Sequence, residues 1–322
     1  MYLGKSVAAI IPAYNEEQLI GRVLETMPEI VDRIIVVDDA SRDSTSEVVR
    51  SYKEKARLNG NLTLIRHEQN HGVGGAIVTG YKAALQDGID VSVVLAGDSQ
   101  MDPADLPQVI EPVARDQAEY SKGNRLSRGE SWKLIPHTRY LGNSVLSLLT
   151  KIASGYWHVA DSQSGYTAIS HRALERLELD LDGIYKRYGM PNDLLIQLNI
   201  HNCRVKDVPI QPVYHVGEKS GIRLQKVIPR ISWILLKGFF RRLFQKYIIQ
   251  DFHPLIFFYL FGFLFLLGGA SIGLFTLAAD QFGLLDIGYG WMILGAILII
   301  SGIQCILFAM WFDMDHNKDL KG

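Results

Sequence analysis

Hydrophobic positions follow two regimes along the chain. Up to about residue 220, short apolar runs alternate with mixed, charged stretches; beyond about residue 250 the apolar runs become long. In the first regime VAAII (Val7 to Ile11), RIIVV (Arg33 to Val37), LTLI (Leu62 to Ile65) and VSVVL (Val91 to Leu95) are short and rich in β-branched residues. That pattern predicts buried strands rather than helices. Between them lie helix-length stretches such as EEQLIGRVLETM, with Ile20, Leu24 and Met27 on one face. The alternation predicts an α/β fold, a mostly parallel sheet with helices on both faces.

The second regime reads differently. From Leu255 to Ala279 and again from Ile287 to Phe312 no Lys, Arg, Asp or Glu occurs. Each run exceeds the roughly 20 apolar residues needed to cross a bilayer, so the pair predicts a two-helix transmembrane hairpin. Ahead of it, LQKVIPRISWILLKGFFRRLFQKYIIQDF mixes cations with Trp233, Phe239, Phe240, Phe244 and Tyr247, and Arg230, Lys237 and Arg241 fall near one helical face. This predicts juxtamembrane amphipathic helices on anionic headgroups; a helix packed under the globular domain is the alternative. Three parts follow: a globular domain over 1–222, interfacial helices over 223–252, and two spans over 253–322 (about 255–279 and 287–312) with a short tail.

Charge orients these parts. Lys226, Arg230, Lys237, Arg241, Arg242 and Lys246 precede the first span, whereas the connector AADQFGLLD carries Asp280 and Asp286 and no basic residue. The positive-inside rule then places the globular domain in the cytoplasm, the connector outside and the C-terminus inside. Nothing at the N-terminus resembles a signal peptide. The two cysteines, Cys203 and Cys305, are far apart, which indicates neither a disulfide nor a thiolate metal site. The net charge of −1 carries no signature of a nucleic-acid partner, and none is expected.

Ligands of such sheets bind at the carboxyl ends of the strands. The four predicted strands end in PAYNEE (Pro12 to Glu17), DDASRDST (Asp38 to Thr45), HEQNHGVGGA (His67 to Ala76) and AGDSQMDP (Ala96 to Pro103). Polar, glycine-rich or acidic segments thus converge on one crevice. Neither GxGxxG after the first strand nor a Walker loop is present. An acidic crevice needs a cation before it can hold a diphosphate. Asp98 and Gln100 offer hard oxygen ligands suited to Mg²⁺ or Mn²⁺, which would act as a Lewis acid on a departing diphosphate.

The motifs IPAYNEE, IIVVDDAS, NHGVGGA and AGDSQMDP resemble the nucleotide-sugar-binding half of the family 2 inverting glycosyltransferases with the GT-A fold. KGNRL (Lys122 to Leu126), DSQSGYTAIS (Asp161 to Ser170) and YGMPNDLLIQL (Tyr188 to Leu198), followed by two spans, resemble the membrane-bound polyprenyl-phosphate glycosyltransferases, dolichol-phosphate mannose synthases among them. The likeness runs continuously over about residues 6 to 250. It implies a glycosyltransferase with a nucleotide-sugar donor, UDP- or GDP-linked, and a polyprenyl-phosphate acceptor, working at a membrane with inversion.

Position by position, the resemblance implies that Pro12, Tyr14 and Glu16 border base and ribose, that Asp38 reads the base with Asp39 close by, and that Gly74 and Gly75 belong to the donor site. Asp98 and Gln100 would hold the metal. The family usually has a further Asp where this chain has Ala96, so the site either binds its ion weakly or relies on Asp98, Gln100 and the diphosphate. Arg125 and Arg139 match positions that contact the lipid phosphate, in keeping with the bidentate recognition arginine suits. A further arginine expected before GEKS is replaced, with His215 nearby. Asp161 matches an active-site carboxylate without a specific task. Asp193 matches the usual general base, although Asn192 and Asp193 also read as helix-opening caps.

Three other readings stay in view. One is a family 2 enzyme that glycosylates a hydroxyl; its processive version is disfavoured by the lack of a QxxRW motif and of more spans. Another is a non-catalytic nucleotide-sugar-binding scaffold, which Ala96 supports and Asp98, Gln100, Arg125 and Asp193 oppose. A nucleotidyltransferase lacks the basic glycine-rich loop expected after the first strand. A homo-oligomer is possible through small residues in GLFTLAA or LGAILIISG, without a decisive dimer motif.

Overall fold

The four short apolar runs form β1 (Val7–Ala13), β2 (Arg33–Asp38), β3 (Leu62–Arg66) and β4 (Val91–Val94), mutually parallel. The computed structural model describes residues 1–53, 60–127, 137–177, 189–211, 224–282 and 289–322, without the side chains of 137–139, 224–228 and 282. Three more strands, β5 (Tyr120–Asn124), β6 (Thr167–Ser170) and β7 (Val205–Pro209), complete a seven-stranded sheet of order β3-β2-β1-β4-β6-β5-β7. β6 runs antiparallel to β4 and β5, and β7 is parallel to β5. The hydrophobic pattern gave no sign of β5. Its sequence is YSKGN, yet all five residues are buried.

Period-two alternation along β1 sorts the core into two layers. Ala8 and Ile10 face one layer with α3 (Gly72–Gln86), α6 (His171–Arg176) and α7 (Met190–Ile200). Val7, Ala9 and Ile11 face the other, with α1 (Ile20–Glu25), α2 (Thr45–Lys53) and α4 (Leu106–Ala114). Helices therefore cover both faces, as predicted. Each fully buried aliphatic side chain contributes about 1.5–3 kcal/mol relative to exposure. α3 approaches β1 closely because Gly80 has no Cβ: one placed there would lie 2.3 Å from Ile10 Cγ2. α1 is shorter than its apolar face predicted, because the preceding backbone is diverted: Glu16 N–H donates to Thr45 Oγ1 (2.8 Å).

The chain divides into two units, one of Met1–Phe240 with Asp319–Gly322, the other of Arg241–Lys318. Within the first, the last residues return to the sheet. Lys321 forms a parallel bridge with Val205, Gly322 N–H donates to Val205 O (3.2 Å), and Leu320 packs against the core. The start of β7, at Val205, is thereby paired, which shortens the open template for strand pairing.

α5 (His137–Ser154) precedes β6, and α8 (Leu224–Phe244) leads toward the apolar segments. α8 is two-faced. Ile231, Leu235, Gly238 and Phe239 are buried, a Cβ on Gly238 meeting Ile196 Cδ1 at 2.3 Å, whereas Arg230, Trp233, Leu236, Lys237, Phe240 and Phe244 are exposed. In the second unit a π-helical turn (Gln245–Gln250) is followed by α9 (Leu255–Phe282) and α10 (Tyr289–His316), both long and apolar enough to cross a membrane.

α9 and α10 pair antiparallel along a glycine seam. A Cβ on Gly269 would lie 2.7 Å from Gly295 O, and one on Gly302 would lie 3.0 Å from Gly262 O. Small residues that bring helix backbones together are how apolar helices associate in lipid. At the end of α10 a buried polar group closes the unit. Arg242 grips Asp313 with two hydrogen bonds (2.7 and 3.1 Å), Tyr247 OH donates to Asp313, and Lys246 Nζ donates to Asn317 Oδ1 (2.7 Å).

Candidate active site

The loops after β1 and β2 are stitched to each other. Asn15, at φ 57°, donates its N–H to Ser41 Oγ (3.0 Å) and accepts from Arg42 N–H (2.9 Å), and Glu17 accepts from Ser44 N–H (3.0 Å). These bonds fix PAYNEE against DDASRDST. Asp38 is fully buried: it accepts Ser41 N–H (2.8 Å) and the Ser46 hydroxyl, and Arg66 stands 3.7 Å away. A cleft of about 480 Å³ opens above this support, lined by Ala40, Ser41, Arg66, His67 and Glu68.

Asp39 takes the N-terminus of α3. Its carboxylate accepts His71 N–H (2.8 Å) and Gly72 N–H (2.7 Å) and pairs with His67 Nδ1 (2.8 Å), while His67 Nε2 reaches Thr79 Oγ1 (2.9 Å). Helix N-termini attract anions, and here the chain supplies its own. Gly74 and Gly75 lie buried in the first turns of α3, where a Cβ on Gly75 would sit 2.6 Å from His71 Cβ. The structure thus shows both glycines buried, with Gly75 pressed against the cap of its own helix.

The acidic pole forms where the β1 loop meets the segment after β4. A Cβ on Gly97 would be 3.2 Å from Pro12 O and 3.6 Å from Glu16 Cγ, so no side chain separates the two loops. Burial, then the charges of Asp98 and Asp43, push Glu16 up to about 7. Asp98 Oδ1 accepts Gln100 N–H (3.1 Å), and Ser99 between them adopts φ 58°. Tyr14 is exposed at the rim, 43% accessible. Among the described residues no three His, Cys, Asp or Glu side chains gather in a metal-binding group.

The cationic pole stands at the end of β5. Arg125 grips Asp161 through Nε–H to Oδ2 (2.8 Å) and Nη2–H to Oδ1 (3.1 Å), and its own N–H adds a bond to Oδ2 (3.2 Å). Burial works to raise Asp161, but Arg125 and Lys122 outweigh it and hold the carboxyl below the ordinary range. Lys122 is fully buried, donates to Ser164 O, and is lowered by burial to about 8. Arg139 has a side chain outside the described residues, as do His215 and the GEKS segment entirely.

Asp193 is buried in the first turn of α7, and the cap of that helix is Gly189, without a side-chain cap bond. Asn192 and Asp193 are therefore not capping residues. Asn192 Oδ1 instead receives Thr150 Oγ1 and Gln163 Nε2, each at 2.8 Å, which ties α7 to α5 and to the Asp161 loop.

The two poles border each other. A Cβ on Gly165 would lie 3.3 Å from Met101 Cε, and Tyr166 OH donates to Asp102 O (3.1 Å). The structure brings Pro12, Glu16 and Asp98 together, and Arg125 with Asp161. Ser41, Thr45, His67 and Lys122 lie inside motifs that the sequence singled out without giving them a role of their own, whereas nothing local marked Asp207, which accepts Asn124 Nδ2–H (2.6 Å).

An acidic strand-end crevice thus lies near an arginine-bearing loop on a mixed seven-stranded sheet. The family model described as "Glycosyl transferase family 2" matches residues 8–178, and the chain belongs to that family. A UDP-N-acetylglucosamine–dolichyl-phosphate N-acetylglucosaminyltransferase of Methanococcus voltae is 38% identical over 220 residues, spanning 65% of this chain and 86% of the relative. An undecaprenyl-phosphate mannosyltransferase of Micrococcus luteus is 32% identical over 236 residues, 70% of this chain and 93% of the relative. Glucosyl-3-phosphoglycerate synthase from Mycobacterium tuberculosis, solved with Mn²⁺, UDP and glucosyl-3-phosphoglycerate, superposes with TM-score 0.55 over 74% of this chain and 80% of that one at 20% identity. That likeness establishes the fold.

Proposed function

We propose that this enzyme transfers a sugar from a nucleoside diphosphate, UDP or GDP, to a polyprenyl phosphate, with inversion, from the cytoplasmic face of a membrane. The juxtaposed poles carry the reading: Glu16 and Asp98 on one side, Arg125 seated on Asp161 on the other, joined where Met101 meets Gly165. The acceptors in the relatives' names, dolichyl and undecaprenyl phosphate, support the same acceptor class here. The exposed aromatic and basic face of α8 and the two apolar helices suit a lipid substrate whose head reaches the domain while its tail stays in the bilayer.

Asp98 and Gln100 would hold Mg²⁺ or Mn²⁺. The donor set fits: a carboxylate and an amide, both hard oxygen ligands, stand beside the second carboxylate of Glu16, a local excess of negative charge that a divalent cation neutralises. When bound, the ion supplies Lewis acidity to the diphosphate. The protein's own residues do the rest. The cleft over Asp38 takes the base, with Arg66 at its wall. Arg125, oriented by Asp161, holds the acceptor phosphate, one of whose oxygens attacks the anomeric carbon as the bond to the diphosphate oxygen breaks on the opposite side. The nucleoside diphosphate leaves. A phosphate monoester, with its second pKa at about 6, is already the nucleophile near neutral pH, so Asp193 orients rather than abstracts.

A hydroxyl acceptor is the second reading, favoured by the burial of Asp193 in a helix first turn beside the site. Asp193→Asn separates the two. Transfer falling about 10²- to 10⁴-fold, as loss of a general base implies, points to the hydroxyl; a far smaller loss points to the phosphate. The direct test offers radiolabelled UDP- and GDP-sugars with polyprenyl phosphate to the full chain, with Mg²⁺, Mn²⁺ or EDTA. Label in the organic phase, abolished by EDTA and by Asp98→Ala, is expected. No labelled lipid from any donor would overturn the proposal.

A further inference from the structure

One carboxylate oxygen touches both flanks of the Arg125–Asp161 pair. Asp207 Oδ2 accepts Asn124 Nδ2–H (2.6 Å) from the end of β5 and Ala160 N–H (3.0 Å) from the opposing loop. Asn124 precedes Arg125, and Ala160 precedes Asp161. The remaining amide atom of Asn124, Oδ1, accepts Leu126 N–H (2.9 Å), so this side chain spans the turn that carries Arg125. β7 also pairs with β5 through Lys122↔Asp207 and Asn124↔Pro209, which brings Asp207 to this place by register alone.

The arrangement is costly for a structural hydrogen-bond acceptor. Asp207 Oδ1 is buried with no hydrogen-bond partner among the described residues, and burial raises the carboxyl despite Ala160 N–H, Lys122 and Asn124. A buried, half-satisfied charge opposes folding. What the oxygen provides in return is a fixed separation between two segments whose next residues, Arg125 and Asp161, must meet with both guanidinium bonds in line.

We propose that Asp207 is a positioning residue of the acceptor site, setting Arg125 against Asp161 through Asn124 and the Ala160 N–H. The inference rests on the reading of Arg125 as the residue that binds the acceptor phosphate. It places a determinant of acceptor affinity on β7, behind the residues that touch substrate.

The test uses the full chain in detergent with polyprenyl phosphate and the productive nucleotide sugar. Asp207→Ala removes the oxygen and breaks the bridge. Asp207→Asn restores it: the amide oxygen takes the place of Oδ2, accepting Asn124 Nδ2–H and Ala160 N–H, and the NH2 takes the place of the unpartnered Oδ1. Asp207→Ala is expected to raise KM for polyprenyl phosphate about tenfold, the worth of one hydrogen bond to a charged group, with kcat and the donor KM within about twofold. Asp207→Asn should stay within about threefold of wild type. An unchanged acceptor KM in Asp207→Ala, or one raised equally in Asp207→Asn, overturns the proposal. If Asp207→Ala does not fold, Asn124→Ala, which removes the other half of the bridge, decides by the same criterion: a raised acceptor KM is expected and an unchanged one overturns the proposal. Arg125→Ala separates the premise: an unaltered acceptor KM there refutes the acceptor reading itself, whereas a raised one with Asp207→Ala silent refutes only the positioning role.

Discussion

Lys122 holds its ammonium in a fully buried position, donating to Ser164 O between Asp161 and Asp207. Its native pKa of about 8 lies below the 10.5 of an exposed lysine. Between those values the unfolded chain binds a proton that the native chain has lost, so stability rises with pH from about 8 to 10.5 and is level below 8, where both states are protonated. The gain is on the order of 3 kcal/mol, at about 1.4 kcal/mol per pKa unit. Lys122→Met should remove it. The difference in denaturant midpoint between wild type and variant, followed from pH 7 to pH 10.5, is expected to shift steadily in favour of wild type; a constant difference would refute the assignment. The same residue shows where reading a sequence stops. Asp98 and Glu16 announced themselves because each follows a β-branched run at a place where α/β sheets bind ligands. Lys122 and Asp207 lie inside strands of mixed polarity, and their roles come from which strand becomes the neighbour, a long-range fact that no local pattern contains.

At the scale of elements, the parallel half of the sheet was legible because β1, β2 and β4 are almost wholly buried and therefore nearly continuous in apolar residues, and the edge strand β3, only partly buried, keeps the same short apolar run. β5 to β7 were not, since antiparallel insertion of β6 between β4 and β5 depends on the whole chain. The glycines of NHGVGGA read as a donor-site loop, and the structure adds that Gly74 and Gly75 lie buried in the first turns of α3, whose N-terminus Asp39 takes. In the hairpin, Arg242 and Asp313 are both fully buried. Removing one partner strands the other charge, so Arg242→Met should cost about 3–5 kcal/mol, while Arg242→Met with Asp313→Leu should recover most of it. Thermal unfolding of the full chain in detergent measures both. Equal losses in the single and double variants would show that the cost does not come from a stranded Asp313 charge. The glycine seam matters for association too: Gly262, Gly269, Gly295 and Gly302 are used between α9 and α10, so a homo-oligomer would have to form on another surface.

At the scale of the whole molecule, the globular first unit contains both Met1–Phe240 and Asp319–Gly322. If α9 and α10 each cross the bilayer, the domain and the tail share one side, and the basic run ahead of α9 predicts that this side is the cytoplasm. Single cysteines introduced at Asp87, Asp286 and Asp319, in a chain with Cys203 and Cys305 replaced by Ala, check this in sealed cells with an impermeant maleimide. Only the cysteine at 286 is expected to label before lysis. Labelling at 87 or 319 in intact cells would reverse or break the topology.

The bridge between Lys321 and Val205 also sets an order of events during synthesis. Chains emerge from the ribosome N-terminus first and domains fold as they appear, but Val205 at the start of β7 must wait for its last neighbour until Tyr289–His316 has been translated. Until then that end of the strand edge stays unpaired. If α9 and α10 cross a bilayer, the sheet is completed only after both have been made, so the closing residues of the chain tie the finishing of a soluble fold to the making of its apolar hairpin.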